Sequence, residues 1–477
     1  MIFNSFDFLI FFVIVLGLYW GPLRRSVRGQ NLMLLIASYL FYGWWDWRFL
    51  SLLFINSAID YGCALALQAA QSQQVRRAII WASLISNLGM LGFFKYYNFF
   101  AESFAQMLET FGMHADLFTL QVILPVGISF YTFQTLSYTL DVYFRKMDAV
   151  RDPIVFLTYV SFFPQLVAGP IERAIDLLPQ FLVPRTVTWT EIQIGCRQVL
   201  WGLFKKMVIA DSVALHVDYV FRHCGELDGV TLLIGAFFFS LQIYCDFSGY
   251  TDVAIGTGKL MGFQLSQNFA YPYFSRNIAE FWRRWHMTLS TWFRDYLYIP
   301  LGGSRVSRTR TIFNILITFT LCGFWHGANW TFLAWGFLNG LMFVPLILLS
   351  RHQANKEIVA HDRAWPTWGD GLGILGTQAF VLVSWVLFRA ESLTQAGTYL
   401  SRCVTHPWLE LDYSRYVEGL CLCGGLMLAE WFQRREAFAL DIGRWPLLAR
   451  YTAYAALVTM MIELGSREHV PFIYFQF

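Results

Sequence analysis

Charge is what this sequence is short of. Asp, Glu, Lys and Arg make up 14% of its 477 residues, about half the usual proportion for a soluble domain. A water-soluble chain of this length would fold into about two to four compact domains. Their surfaces would need far more than 35 basic and 32 acidic side chains, which excludes an ordinary cytosolic enzyme. The net charge is only +3 and the basic residues are scattered, so a nucleic-acid footprint is excluded as well. Paired cysteines are also lacking. Cys63, Cys196, Cys245 and Cys322 lie in apolar stretches, where a thiol behaves as a small hydrophobe. Cys421 and Cys423 are two residues apart and face opposite ways on a helix. No disulfide, zinc or haem pattern is visible, and no metal site or bound cofactor is expected. Internal repeats and low-complexity tracts are missing too, which removes solenoids and arrays.

What is present is hydrophobic: 56% of the residues are apolar and 18% aromatic. Runs long enough to cross a bilayer, about 20 residues each, fall near 5–20, 31–43, 50–68, 78–100, 119–140, 154–169, 193–221, 230–247, 311–330, 331–350, 372–388, 416–432 and 451–465. Several are short or shared, so about 10 to 13 crossings are expected. The pattern predicts an all-α polytopic membrane protein with one membrane domain over 1–477. The first run has no Lys or Arg before it and is followed by Arg24, Arg25 and Arg28, the order of a signal anchor with its N-terminus outside. Lys and Arg alternate between loops at both ends of the chain, which also predicts an outer C-terminus. The polar stretch 351–371 is the expected loop with room for a partner. Between 141 and 310 the alternation fails, because Glu172, Arg173, Lys205, Lys206, Asp246, Asp252 and Lys259 interrupt the apolar runs.

Residues 281–303, FWRRWHMTLSTWFRDYLYIPLGG, follow Glu280 and cannot be a lipid-facing span. Five charges fall within sixteen residues, at about 2.5–3.5 kcal/mol each if placed at the bilayer centre. At 100° per residue, Glu280, Arg283, Arg284, His286, Ser290, Arg294 and Asp295 share one face, and Phe281, Trp285, Leu289, Trp292 and Tyr296 the other. The stretch is expected to be one amphipathic helix. It either lies in the lipid headgroup layer or lines an internal cavity where Arg283, Arg284 and Arg294 meet an anionic donor.

Residues 311–340 then carry one ionisable side chain of the Asp, Glu, Lys, Arg and His types, His326. A histidine inside an apolar helix is a functional-site hypothesis, set against a core imidazole hydrogen-bonded to a neighbour. Gly323 and Gly327, four apart, would admit a neighbouring backbone. Neutral imidazole is a good general base for a hydroxyl, so acyl transfer to an alcohol suits this position.

Both stretches resemble the membrane-bound O-acyltransferase superfamily, in its bacterial branch of alginate O-acetylases, peptidoglycan O-acetyltransferases and teichoic-acid D-alanyl transferases. The resemblance extends to ASYLFYGWWDWRFL (37–50), PVGISFYTFQTLSYTLDVY (125–143), FFPQLVAGPIER (162–173), YCDFSGYTDVAIG (244–256) and GFWHGANWTFLAWG (323–336). It implies a fold of about eleven crossing helices plus re-entrant and amphipathic ones around a central tunnel. It assigns the catalytic histidine to His326 and the second signature histidine to His286. The tunnel wall or donor site is expected at Arg283, Arg284, Ser290, Arg294, Asp295, Trp325 and Asn329. The terminal PFIYFQF (471–477) resembles the branch's acyl-carrying tail, with Tyr474 as acyl relay at an outer tunnel mouth; an aromatic interfacial anchor is the other reading.

The activity so implied is O-acetyl transfer from acetyl-CoA or an acyl-carrier thioester. The acyl group would cross a bacterial inner membrane to an extracytoplasmic acetyltransferase-like partner and a polysaccharide such as alginate. Peptidoglycan, cellulose and D-alanyl transfer remain open as variants. A polysaccharide export component is the competing class, against which the absence of half-to-half repeats counts.

Overall fold

The computed structural model describes residues 1–113, 124–167, 169–351, 353–406, 408, 413–465 and 470–475. Every regular element among them is a helix. Residues 119–123 of the span expected at 119–140, Ala168 within 154–169, and Gln476 and Phe477 of the tail lie outside the described residues. Among the described residues, five helical segments are long and apolar enough to cross a membrane: Val27–Ala69, Gln73–Thr110, Gly229–Leu260, Trp330–Leu348 and Trp368–Arg389. A shorter apolar helix is Phe6–Trp20. The chain divides into two compact units, Met1–Thr188 with Gly258–Leu265, and Trp189–Thr257 with Ser266–Phe477.

In the first unit the polar residues inside apolar helices bond to one another. Asp60 accepts from Ser83 Oγ at 2.5 Å and from Asn87 Nδ2 at 2.9 Å. The Arg185 guanidinium donates to Tyr19 Oη, Asn31 Oδ1 and Gln30 Oε1 at 2.8–3.0 Å. Arg76, a loop charge in the sequence, is buried and donates to the carbonyls of Leu67 and Tyr143. Hydrocarbon offers these groups no substitute partner.

The second unit is built on close helix contacts. The Arg308–His326 helix runs against Trp330–Leu348 along Gly323 and Gly336. A Cβ built at Gly323 would strike the Phe332 carbonyl and lie 3.1 Å from Gly336 Cα, so the expected backbone approach occurs at Gly323, whereas at Gly327, past the helix end, the close neighbour is the Phe332 ring. Gly249 makes a second such contact, where a Cβ would lie 2.7 Å from the Gly202 carbonyl oxygen. That contact joins the Trp189–Phe204 helix to Gly229–Leu260. The Trp368–Arg389 helix opens on a capping box between Thr367 and Asp370.

One expectation is corrected here. The region between the runs expected at 372–388 and 416–432 is not all loop: Leu393–Thr405 is a helix capped by Ser392, with Tyr399 buried. Its 13 residues are amphipathic and too short to show as a span. The stretch 351–371, largely exposed, is held in place through its main chain. Ala354, Asn355 and Glu357 accept from Arg283, Arg284 and Arg276, and Val359, Ala360 and Arg363 accept from Arg434.

Replacing Gly323 by Ala is expected to destabilise the detergent-purified protein by about 1–3 kcal/mol, the usual cost of overpacking. Gly62→Ala, where a Cβ would meet nothing within 4 Å, should be neutral or stabilising. Thermal unfolding of both variants checks the contrast.

Candidate functional site

The stretch read as one amphipathic helix is two. Ile278–Arg284, capped by Asn277, ends at Trp285, which is extended, and His286 adopts a left-handed backbone at φ 43° and ψ 53° before Met287–Phe293 begins. A π turn, Arg294–Tyr298, follows. The cause is a neighbouring segment, 268–270. Ala270 N–H donates to the Arg284 carbonyl and Met287 N–H to the Asn268 carbonyl, both at 2.9 Å, so the backbone here bonds sideways instead of along a helix. Asn268 Oδ1 also accepts from Thr288 Oγ1 at 3.0 Å and Thr288 N–H at 3.3 Å. A non-glycine residue in the left-handed region costs about 1–3 kcal/mol. These added bonds, about 1 kcal/mol each, are enough to hold it.

The break sets His286 apart from its helix. Its Nδ1–H donates to Asn268 Oδ1 at 3.2 Å, which leaves Nε2 as the basic nitrogen in that tautomer. The ring is fully buried, with Phe247 packed edge-on at a centroid distance of 4.7 Å. Burial holds the imidazole well below its usual pKa range, so it is neutral.

The break also redistributes the arginine face. Arg284 does not join a donor-facing row: it pairs with Glu280 at 3.0 Å, and Arg276 bonds the same carboxylate at 3.0 Å. A buried carboxylate one helical turn away is a stronger partner than a solvated cavity. Arg283, Ser290 and Arg294 do line one cavity, of about 350 Å³, together with Trp282, Thr318 and Cys322. Arg283 is braced by the carbonyls of Ala354 and Asn355. Asp295 holds Arg294 through a 2.6 Å ion pair. Thr318 and Cys322 stand on the Arg308–His326 helix, eight and four residues before His326, and so share its face.

His326 is the last residue of that helix and is 3% exposed. Its ring meets Trp335 at 5.3 Å, Phe388 at 5.4 Å and Trp325 at 4.9 Å between centroids. The two histidines, forty residues apart, face each other at 6.2 Å, and Trp325 lies 6.2 Å from the His286 ring. Asn329 has a different place: it caps the next helix through Thr331 N–H and donates to the Glu391 carbonyl. That explains an Asn between two helices without a role in the cavity.

Tyr474 is brought into this group and is half-buried there. Its ring lies 5.7 Å from His326, 6.5 Å from His286 and 4.6 Å from Phe247, and the preceding Phe472 and Ile473 are buried. Nothing in the spacing of PFIYFQF foretells this, since the tail reads equally as an interfacial anchor. Asn268, Phe247, Trp335 and Phe388 also went unnoticed in the sequence. A carboxylate within the apolar run YCDFSGY, Asp246, was the available signal that this region holds a buried site.

The membrane-bound O-acyltransferase family model matches residues 40–384. A protein of Pseudomonas aeruginosa named as a probable alginate O-acetylase is 41% identical over 399 residues, 83% of this chain and 73% of its own length. One of the same name from Pseudomonas putida is 36% identical over 504 aligned positions that span both chains completely. A peptidoglycan O-acetyltransferase of Helicobacter pylori is 36% identical over 83% of this chain and 78% of its own. With the WH and WHG histidines side by side in a chain of apolar helices, the protein belongs to the membrane-bound O-acyltransferase family and is a multi-pass membrane acyltransferase.

Proposed function

We propose that this chain is an O-acetyltransferase of the bacterial inner membrane, with both termini outside. It takes the acetyl group from cytoplasmic acetyl-CoA and delivers it, through an extracytoplasmic partner enzyme, to hydroxyls of an envelope or secreted polysaccharide of the alginate class. The observation that carries the reading is the convergence of His326, His286 and Tyr474, with ring centroids 5.7–6.5 Å apart. Two bacterial relatives named as alginate O-acetylases support the choice of acceptor.

In this reading the thioester enters by the cavity that Arg283, Ser290 and Arg294 line, where the guanidinium groups pair with the donor's phosphates. The Tyr474 hydroxyl attacks the thioester carbonyl, and His326 removes its proton as the C–O bond forms. The carbon–sulfur bond then breaks, and the thiolate leaves with the proton that His326 returns. The products are free CoA thiol and an O-acetyl tyrosine. His286, neutral and fixed by Asn268, orients the carbonyl. Trp325, Trp335 and Phe388 keep water away from an ester that would otherwise hydrolyse.

His326→Ala is expected to lower acetyl transfer by about 10²–10⁴-fold, the range of general acid–base assistance, with expression and membrane insertion unchanged. Retained activity in membranes supplied with labelled acetyl-CoA would refute the assignment. Tyr474→Phe should abolish acetylation of the polysaccharide and the appearance of label on the tail peptide; undiminished polysaccharide acetylation would sink the relay.

A further inference from the structure

Two consecutive lysines, Lys205 and Lys206, have side chains only 3% and 2% exposed. They start a π turn, Lys205–Ala210, a deformation often found at functional positions. Their partners differ. Lys205 pairs with Asp252 at 2.6 Å and donates to Ser248 Oγ at 2.8 Å. Lys206 pairs with Asp211 and Asp246, each at 2.8 Å, and donates to the carbonyl of Val470 at 3.2 Å. An ammonium has three protons to donate, and the third of these goes to the main chain of the C-terminal tail. Asp246 in turn accepts from the Ile473 N–H at 2.6 Å.

One cation faces two carboxylates in this interior, and surplus negative charge there needs further donors. The Ile473 amide is such a donor. Two main-chain groups of the tail, three residues apart, therefore complete the cluster, and the next residue is Tyr474. Between them Phe472 is wedged against Tyr250 at 4.7 Å and Phe247 at 6.0 Å.

We propose that Lys206 and Asp246, with Asp211 behind them, form a docking site for the chain's own C-terminal segment and act as positioning residues that set Tyr474 beside His326. This rests on Tyr474 as the acyl acceptor. Recognition is through the backbone of Val470 and Ile473, so the site reads the course of the tail, and the register of two main-chain bonds decides which side chain reaches the histidines.

The full-length detergent-purified chain tests this with Ile473→Pro, which deletes the N–H that Asp246 accepts and trims one buried side chain, while every charged side chain of the cluster stays in place. The readouts are trimming of the C-terminus by carboxypeptidase, label from acetyl-CoA on the Tyr474 peptide, and the melting temperature. Ile473→Pro should melt as the native chain does. Its tail should be trimmed past Phe472 and its labelling should fall, each by about tenfold or more, as expected for one lost bond to a charged group. The KM for acetyl-CoA should stay unchanged, since the donor cavity is not altered. Asp246→Asn should act in the same direction; if it fails to fold, Ile473→Pro alone decides. Native trimming and native labelling in Ile473→Pro would overturn the proposal. A loosened tail together with full polysaccharide acetylation in Tyr474→Phe would uphold docking and overturn the relay.

Discussion

A polar group inside hydrocarbon can bond only to the protein that carries it. In water a stray carbonyl or guanidinium costs little, whereas in a buried site each missing partner costs about 1–3 kcal/mol and a lone charge more. The charges of this chain are arranged under that constraint. Arg185 is ringed by Tyr19, Asn31 and Gln30, and Glu280 is shared by Arg276 and Arg284. Lys206 pairs with two carboxylates and donates to one main-chain carbonyl. None of these groups is tolerated as an isolated charge; each closes a small network, and the networks hold the irregular segments in place.

The constraint bears most on the segment around His286. A continuous helix over 280–296 would have carried its charges along one stripe and left the histidine on a surface. The pairing of residues 268–270 with 284–287 breaks the helix and turns one imidazole inward. The Arg284 carbonyl and the Met287 amide, released by the break, are taken up by the 268–270 segment, which helps the left-handed residue persist. His326 is placed by a simpler device: its helix ends, the chain turns through Gly327 and Asn329, and the capping Asn starts the return helix. One histidine depends on a distortion and the other on a regular terminus, yet both face the same aromatic box.

How far the site could be read from the sequence follows the same division. His326 was legible because it is one ionisable residue in a long apolar run, a contrast visible in one dimension. The apolar helices were legible for the same reason, and the Gly323 approach followed from a spacing of four. His286 was legible as a residue but not in its setting, since a 100° wheel assumes an unbroken helix and the pairing with 268–270 is a tertiary event. The pairing of Arg284 with Glu280 is hidden for that reason, and the capping by Asn329 because an N-cap and a cavity-lining amide look alike in sequence. Lys206, Asp211 and Asp246 stood out as charges in the wrong place. Their joint target, a tail more than two hundred residues away, is not encoded in any local pattern.

In the proposed relay, the half-buried position of Tyr474 imposes a condition on transfer that local geometry makes specific. A phenol packed among Phe247, Phe472 and two histidines is partly screened from water, which would protect an acyl ester during its formation and equally restrict an acceptor's access to it. Delivery outward would then be eased by release of the tail. Its attachment among the described residues is suited to that: two main-chain bonds, the wedged Phe472 ring and the ring contacts of Tyr474 hold it. A tail bound by several salt bridges would stay in place, and a tail bound by none would not find His326. Main-chain bonds to a charged cluster lie between these limits, tight enough to fix register and few enough to be broken together.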